Sequence, residues 1–95
     1  MSLKELDKKY VLNTYNRNYV NFVKGENATL YDENMKKYID FGSGIGVVSV
    51  GHGNKVIAKT IYEQVQRITH ISNLFVIEPQ SLLAKKVIIR KRCIF

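Results

Sequence analysis

The chain has little with which to cross-link itself, hold a metal or cross a membrane. Cys93 is the only cysteine, so no internal disulfide and no thiol pair for a metal site are available. The two histidines, His52 and His70, fall on opposite sides of a helical stretch and belong to no metal-ligand spacing, so no metal ligands are expected. A GxxxxGK[ST] phosphate loop is also missing. No apolar run approaches the roughly 20 residues of a membrane span. The polar start Met1-Ser2-Leu3-Lys4-Glu5 lacks the apolar core of a secretion signal. A cytoplasmic chain with no membrane partner is the expectation. Proline occurs once, as Pro79, and 45% of the residues are apolar, which is the balance of a folding chain and not of a disordered one.

Acidic residues are the minority, yet the net charge of +7 is unevenly placed. Lys85, Lys86, Arg90, Lys91 and Arg92 carry most of it, and up to residue 84 ten basic residues face eight acidic ones. The basicity belongs to the tail. A short basic run is ordinarily a solvated one, so nucleic acid is not the expected partner. At 95 residues there is room for one small domain with a modest core.

What is there begins with Leu3, Leu6 and Tyr10 at helical spacing, predicting a helix over 3–10 with Ser2 as N-cap and Glu5 three positions on. Asn13 to Asn18 form a polar loop carrying Tyr15, which reads first as a packing residue. From Tyr19 to Phe41 the period is two, predicting antiparallel strands over 20–24, 28–32 and 37–41. Gly25 and Asn27 in the first turn, and Asn34 in the second, are residue types that accept left-handed backbone. Asn54 caps a predicted helix over 54–69, with Ile57, Ile61, Val65 and Ile68 in one stripe. Pro79, in a first helical turn, opens a last helix that reaches Val87. The class is α+β, and the open faces of the three-stranded meander and of the helix call for a cover.

The stretch Tyr38-Ile39-Asp40-Phe41-Gly42-Ser43-Gly44-Ile45-Gly46-Val47, running on to Gly51-His52-Gly53, changes from strand to loop at Gly42. Two readings fit it: a glycine-rich connection between strand and helix, or one apolar wall of a small-molecule pocket. His52 is expected to hydrogen-bond backbone at the loop's exit, and His70 to sit favourably at a helix C-terminus. Asp40 and Ser43 have chemistry to offer, but no base stands near Ser43 in sequence. No catalytic residue is assigned.

Taken in order, Thr14-Tyr15-Asn16-Arg17, Phe22-Val23-Lys24-Gly25-Glu26, Leu30-Tyr31-Asp32, Lys37-Tyr38-Ile39-Asp40-Phe41, Ser43-Gly44-Ile45-Gly46-Val47, Gly51-His52 and His70-Ile71-Ser72-Asn73-Leu74-Phe75 resemble the start of the acetylornithine aminotransferases. These are class III, fold type I enzymes that use pyridoxal phosphate. The resemblance covers roughly residues 13 to 87 and implies an N-terminal small-domain segment of a homodimer that transaminates N-acetylornithine with 2-oxoglutarate in arginine biosynthesis. It implies that Ser43, Gly44, Ile45, Gly46 and Val47 line the substrate side of a pocket, that Tyr15 reaches a substrate carboxylate, and that Ser72 and Asn73 lie near the pocket mouth. The family's phosphate-gripping segment, the aspartate on the pyridine nitrogen and the Schiff-base lysine match nothing in this chain, so no residue is expected to bind the cofactor specifically. Tyr19 stands where the family usually has proline, Asn27 and Met35 where it has glycine, and Asn54-Lys55 where it has His-Pro.

The expected organisation is therefore an incomplete aminotransferase domain over 1–87, inactive alone, with an unrelated basic tail over 88–95 left by truncation or frameshift. The rival expectation is a non-enzymatic module that binds a protein or a polyanion through its exposed apolar faces and basic tail. Ornithine, succinylornithine and 4-aminobutyrate enzymes share much of the segment, so the amino donor stays open.

Overall fold

The computed structural model describes residues 1–88, in two units, Met1–Ala58 and Lys59 onward. The basic run Arg90-Lys91-Arg92 and Cys93 lie outside the described residues, as does the predicted tail apart from Ile88.

The first unit opens with α1 (Leu3–Tyr10), whose bounds match those predicted. Its capping box is complete: the Ser2 hydroxyl accepts from the Glu5 N–H at 3.2 Å, and the Glu5 carboxylate accepts from the Ser2 N–H at 2.7 Å. Those bonds to the Ser2 backbone and hydroxyl hold the Glu5 carboxyl below its ordinary value.

The meander follows as β1 (Phe22–Glu26), β2 (Thr29–Asp32) and β3 (Lys37–Ile39), antiparallel and in chain order. A bulge between Phe22 and Lys24 shifts the β1–β2 register, so Phe22 faces Asp32 while Lys24 faces Tyr31. Phe22 packs edge-on against Tyr38, with centroids 5.2 Å apart.

The predicted strand 20–24 has slid to 22–26. Val20 and Asn21 are drawn into loop bonding, the Val20 N–H to the Asn18 carbonyl and the Asn21 carbonyl to the Glu33 N–H. The first turn accordingly sits at Asn27-Ala28, with Asn27 at φ 51°. Gly25 is not a turn residue. It lies in β1, where a Cβ would come within 2.6 Å of the His52 Cβ.

In the second turn Met35, not Asn34, takes the left-handed conformation, at φ 60°. Asp32 decides this, because its Oδ1 accepts from the N–H groups of Asn34 and Lys36, both at 2.9 Å. β3 ends at Ile39 instead of Phe41, since Asp40 turns the chain after one more bond, from its N–H to the Ala28 carbonyl at 2.8 Å.

α3 (Lys55–Arg67) begins at the end of the first unit and is capped as expected, the Asn54 side chain accepting from the Ile57 N–H at 3.1 Å. Its last turns lie in the second unit. There Gln64 Nε2 donates to the Ile68 carbonyl and the Thr69 hydroxyl to that of Val65, and His70, expected at the helix C-terminus, lies three residues past Arg67. α4 (Glu78–Val87) follows with Pro79 in its first turn. Among the described residues no large hydrophobic side chain is buried, and the stripe Ile57, Ile61, Val65 and Ile68 lies open.

Candidate functional site

The glycine-rich stretch folds into a short left-handed turn, α2 (Ser43–Gly46), and not into an irregular loop. Ser43, Gly44, Ile45 and Gly46 have φ of 49°, 57°, 62° and 80°. Glycine adopts such angles without steric cost, but serine and above all β-branched isoleucine do not. Strain on the order of 1–3 kcal/mol for each of those two residues persists only where the surroundings fix it. Ile45 is 100% exposed, so its own packing is not what fixes it.

Hydrogen bonds are what remains. The N–H groups of Ile45 and Gly46 donate to the Gly42 carbonyl at 2.9 and 3.3 Å, and that of Val48 donates to Ser43 at 2.9 Å. At the entrance Asp40 Oδ1 accepts from the N–H groups of Gly42 and Ser43, both at 2.9 Å. The second oxygen, Oδ2, lies 2.6 Å from His52 Nε2. An ionised carboxylate only accepts, so the proton in that bond is the imidazole's. The His52 N–H holds the Asp40 carboxyl below its usual range, the Ser43 N–H adds to this, burial opposes it, and the Gly42 N–H lowers it further.

His52 is anchored in turn. Its backbone exchanges two bonds with Asn27, each 2.9 Å, but its imidazole, expected to hydrogen-bond backbone, is bonded to the Asp40 carboxylate instead. Sequence reasoning missed that bond because the partners are twelve positions apart. An aspartate two residues before a glycine, as in Asp40-Phe41-Gly42, is a recognised turn-former and was the available signal. Gly51, at φ 86°, makes the anchor possible, since a Cβ there would stand 2.9 Å from the Asn27 Cα.

The turn presents apolar surface: Phe41 is 92% exposed, Ile45 100% and Val47 81%. Ser43 is half-buried beside the Asp40 carboxylate. Tyr15, read first as a packing residue, is instead 73% exposed. In the second unit Ser72 has φ 68° and its hydroxyl accepts from the Leu74 N–H at 3.4 Å. Asn73 lines a shallow cleft of about 380 Å³ with Pro79, Gln80 and Leu83.

A larger cleft, about 580 Å³, lies in the first unit beside α1 and holds none of the expected site residues. Within it Arg17 lies 4.0 Å from Asp7, and Asn21 donates to Glu33 at 3.1 Å. Among the described residues no cluster of His, Cys, Asp and Glu has the makings of a metal site, and no helix is long and apolar enough to cross a membrane.

Pyridoxal phosphate would need a lysine in a desolvated pocket and an acid for the pyridine nitrogen. Every described lysine is exposed. Asp32 and Asp40, the carboxylates with the most partners, are already taken up by backbone and side-chain donors. The described residues therefore do not fit the cofactor.

The family model of the class-III aminotransferases matches residues 10–92. The acetylornithine aminotransferase of Wolinella succinogenes is 57% identical over 83 residues, which is 87% of this chain and 21% of that protein. The acetylornithine aminotransferase of Archaeoglobus fulgidus is 42% identical over 83 residues, again 87% of this chain and 22% of its own length. Among solved structures, the acetylornithine aminotransferase of Elizabethkingia anophelis superimposes with a TM-score of 0.83 at 27% identity, covering 88% of this chain and 22% of that one. The ornithine aminotransferase of Toxoplasma gondii gives 0.82 at 25% identity, covering 88% and 20%. The chain thus spans about a fifth of the length of the relatives it matches. The short helix, antiparallel meander and further helices are those of an aminotransferase segment, and the chain belongs to the class-III aminotransferases.

Proposed function

We propose that residues 1–87 form the N-terminal, substrate-side segment of the small domain of a pyridoxal-phosphate-dependent aminotransferase. In the assembled enzyme Ser43, Gly44, Ile45, Gly46 and Val47 wall the pocket for an amino-acid substrate, and Tyr15 reaches a substrate carboxylate. Ser72 and Asn73 are assigned to the pocket mouth by resemblance alone. The reaction of that enzyme is transamination between N-acetylornithine and 2-oxoglutarate in arginine biosynthesis, carried out by a cytoplasmic homodimer. The observation that carries the reading is the strained left-handed turn, which holds apolar side chains away from its own unit and toward a space the rest of such an enzyme would fill.

This chain supplies positioning and an apolar wall. The carbanion chemistry belongs to pyridoxal phosphate, which is expected to be held by residues elsewhere in the family. By itself the chain is inactive. The boundary after Val87 is part of the same proposal, and the family match reaches past it to residue 92.

The test is to incubate the chain with pyridoxal phosphate, reduce with borohydride, map labelled lysines by mass spectrometry and assay N-acetylornithine with 2-oxoglutarate. Substoichiometric labelling scattered over exposed lysines, without glutamate formation, is expected. Stoichiometric labelling of one lysine, with glutamate production that its alanine variant abolishes, would show the chain to be an enzyme in its own right.

A further inference from the structure

We infer that Asp40 and His52 form a latch that sets the shape of the left-handed turn, which makes them positioning residues for the wall formed by residues 43–47. The functional meaning of the latch rests on the pocket-wall reading, whereas its existence does not.

Three observations carry it. The turn needs a restraint, because Ser43 and Ile45 are held at φ of 49° and 62° while Ile45 has no packing of its own. Among the described residues the Asp40 carboxylate is the one side chain seen bonded to the turn's entrance, through Gly42 and Ser43. A carboxylate at a chain reversal would be free to rotate, but this one is fixed from behind by His52 at 2.6 Å, and both side chains are largely withdrawn from solvent, with 12% and 23% exposed.

His52 cannot drift either. Its backbone is paired on both sides with Asn27, and the face of Gly25 lies flat against its Cβ. The sheet edge therefore fixes the imidazole, the imidazole fixes the carboxylate, and the carboxylate fixes the first two N–H groups of the turn. Asp40 is also bound to the ladder through its own N–H to Ala28, so the brace stands on the meander at both ends.

The experiment uses the full 95-residue chain, isotopically labelled, as wild type and as Asp40→Ala, Asp40→Asn, His52→Ala and His52→Gln. NMR reads the turn through the intraresidue amide-to-Hα NOE of Ser43 and Ile45, which is strong only for left-handed φ. The amide shifts of Leu30 and Tyr31 report the sheet. The expected result is loss of the left-handed signature in Asp40→Ala and weakening in His52→Ala, with sheet shifts unchanged. Asn keeps an oxygen for both N–H groups and Gln keeps a donor for the carboxylate, so both conservative variants retain the signature.

A role in general folding would move turn and sheet together and would not be rescued by Gln. If Asp40→Ala loses the sheet, the comparison of His52→Ala with His52→Gln decides. A signature that survives in both alanine variants, one that Gln fails to restore, or one missing from the wild-type chain overturns the latch. Titration with N-acetylornithine reports the pocket wall separately. Ligand-induced shifts confined to 43–47 support the wall, and neither result of this titration bears on the latch.

Discussion

Two aspartates in this chain do the same local work to different ends. Asp32 and Asp40 each give one oxygen to two backbone N–H groups at a chain reversal and the other to a side chain, the Tyr38 hydroxyl at 3.1 Å in the first case and His52 in the second. Each reversal holds non-glycine residues in left-handed backbone: Met35 in one, Ser43 and Ile45 in the other. The partners of Asp32 all lie within six positions, and at 8% exposure it is the one buried polar residue among those described. Asp40 depends on a histidine twelve positions away. A brace with only local partners makes a hairpin, whereas a brace with a distant partner makes a surface whose shape depends on the sheet behind it.

The comparison breaks most completely at Asp32. Asp32→Ala leaves the Asn34 and Lys36 N–H groups and the Tyr38 hydroxyl without their acceptor, and the expected outcome is loss of the whole meander. Collapse of amide dispersion for residues 22–39 in a heteronuclear spectrum checks it. Removing Asp40 should spare those residues and change only the turn.

Acid titrates both braces together. For Asp32 burial pushes the carboxyl up, but the N–H groups of Lys36 and Asn34, the Tyr38 hydroxyl and the Lys36 charge outweigh it, and the result is lowered. Asp40 is lowered as well. A carboxyl whose folded value lies below its unfolded one stabilises fully above the unfolded value of about 4, and that stability is lost as pH falls through the folded value. The sheet and turn signals should therefore be flat from neutrality down to the ordinary carboxylate range and fall below it. Loss of either signal already above pH 5 would contradict these braces.

Most of the scaffold was legible in the sequence because its signals are local. The Ser2–Glu5 box, the Asn54 cap and the Pro79 start are each written within a few residues, and α1, α3 and α4 follow them. The strands were readable in number and order but not in bounds, because the bulge after Phe22 and the loop bonds of Val20 and Asn21 displace β1 without any local mark. Glycine was harder still. Gly25 has the composition of a turn but serves a close approach to His52, a requirement that exists only once the chain has folded back. The proposed wall role of residues 43–47 rests on a family resemblance, while their left-handed course and the Asp40–His52 pair needed the structure.

Gly51 separates the two braces by a smaller step. At φ 86°, with room for no more than a hydrogen against Asn27, Gly51→Ala should cost about 1–3 kcal/mol, concentrated at the Asn27–His52 bridge. Hydrogen exchange of the Asn27 and His52 amides should quicken while the amides bonded to Asp32 hold. Equal acceleration at both places would mean that the braces are one cooperative unit.

The smallest effects come from relieving the strain itself. Met35→Gly and Ile45→Gly each remove a side chain that is exposed, at 54% and 100%, from left-handed backbone. Glycine gives back part of the gain through its freer unfolded state, so each should stabilise by only about 0.5–1 kcal/mol. The two should nonetheless differ in a second measurement. Met35 belongs to a reversal that only closes a hairpin, and its replacement should leave association unchanged. Ile45 stands with Phe41 and Val47 on apolar surface that this chain leaves uncovered, and marginal, self-associating behaviour is expected of such a surface. Ile45→Gly should therefore stabilise the chain and at the same time lower its self-association in sedimentation at matched concentration. If both glycine variants sediment alike, the surface of the left-handed turn is no more adhesive than an ordinary hairpin, and the distinction between the two braces is one of geometry alone.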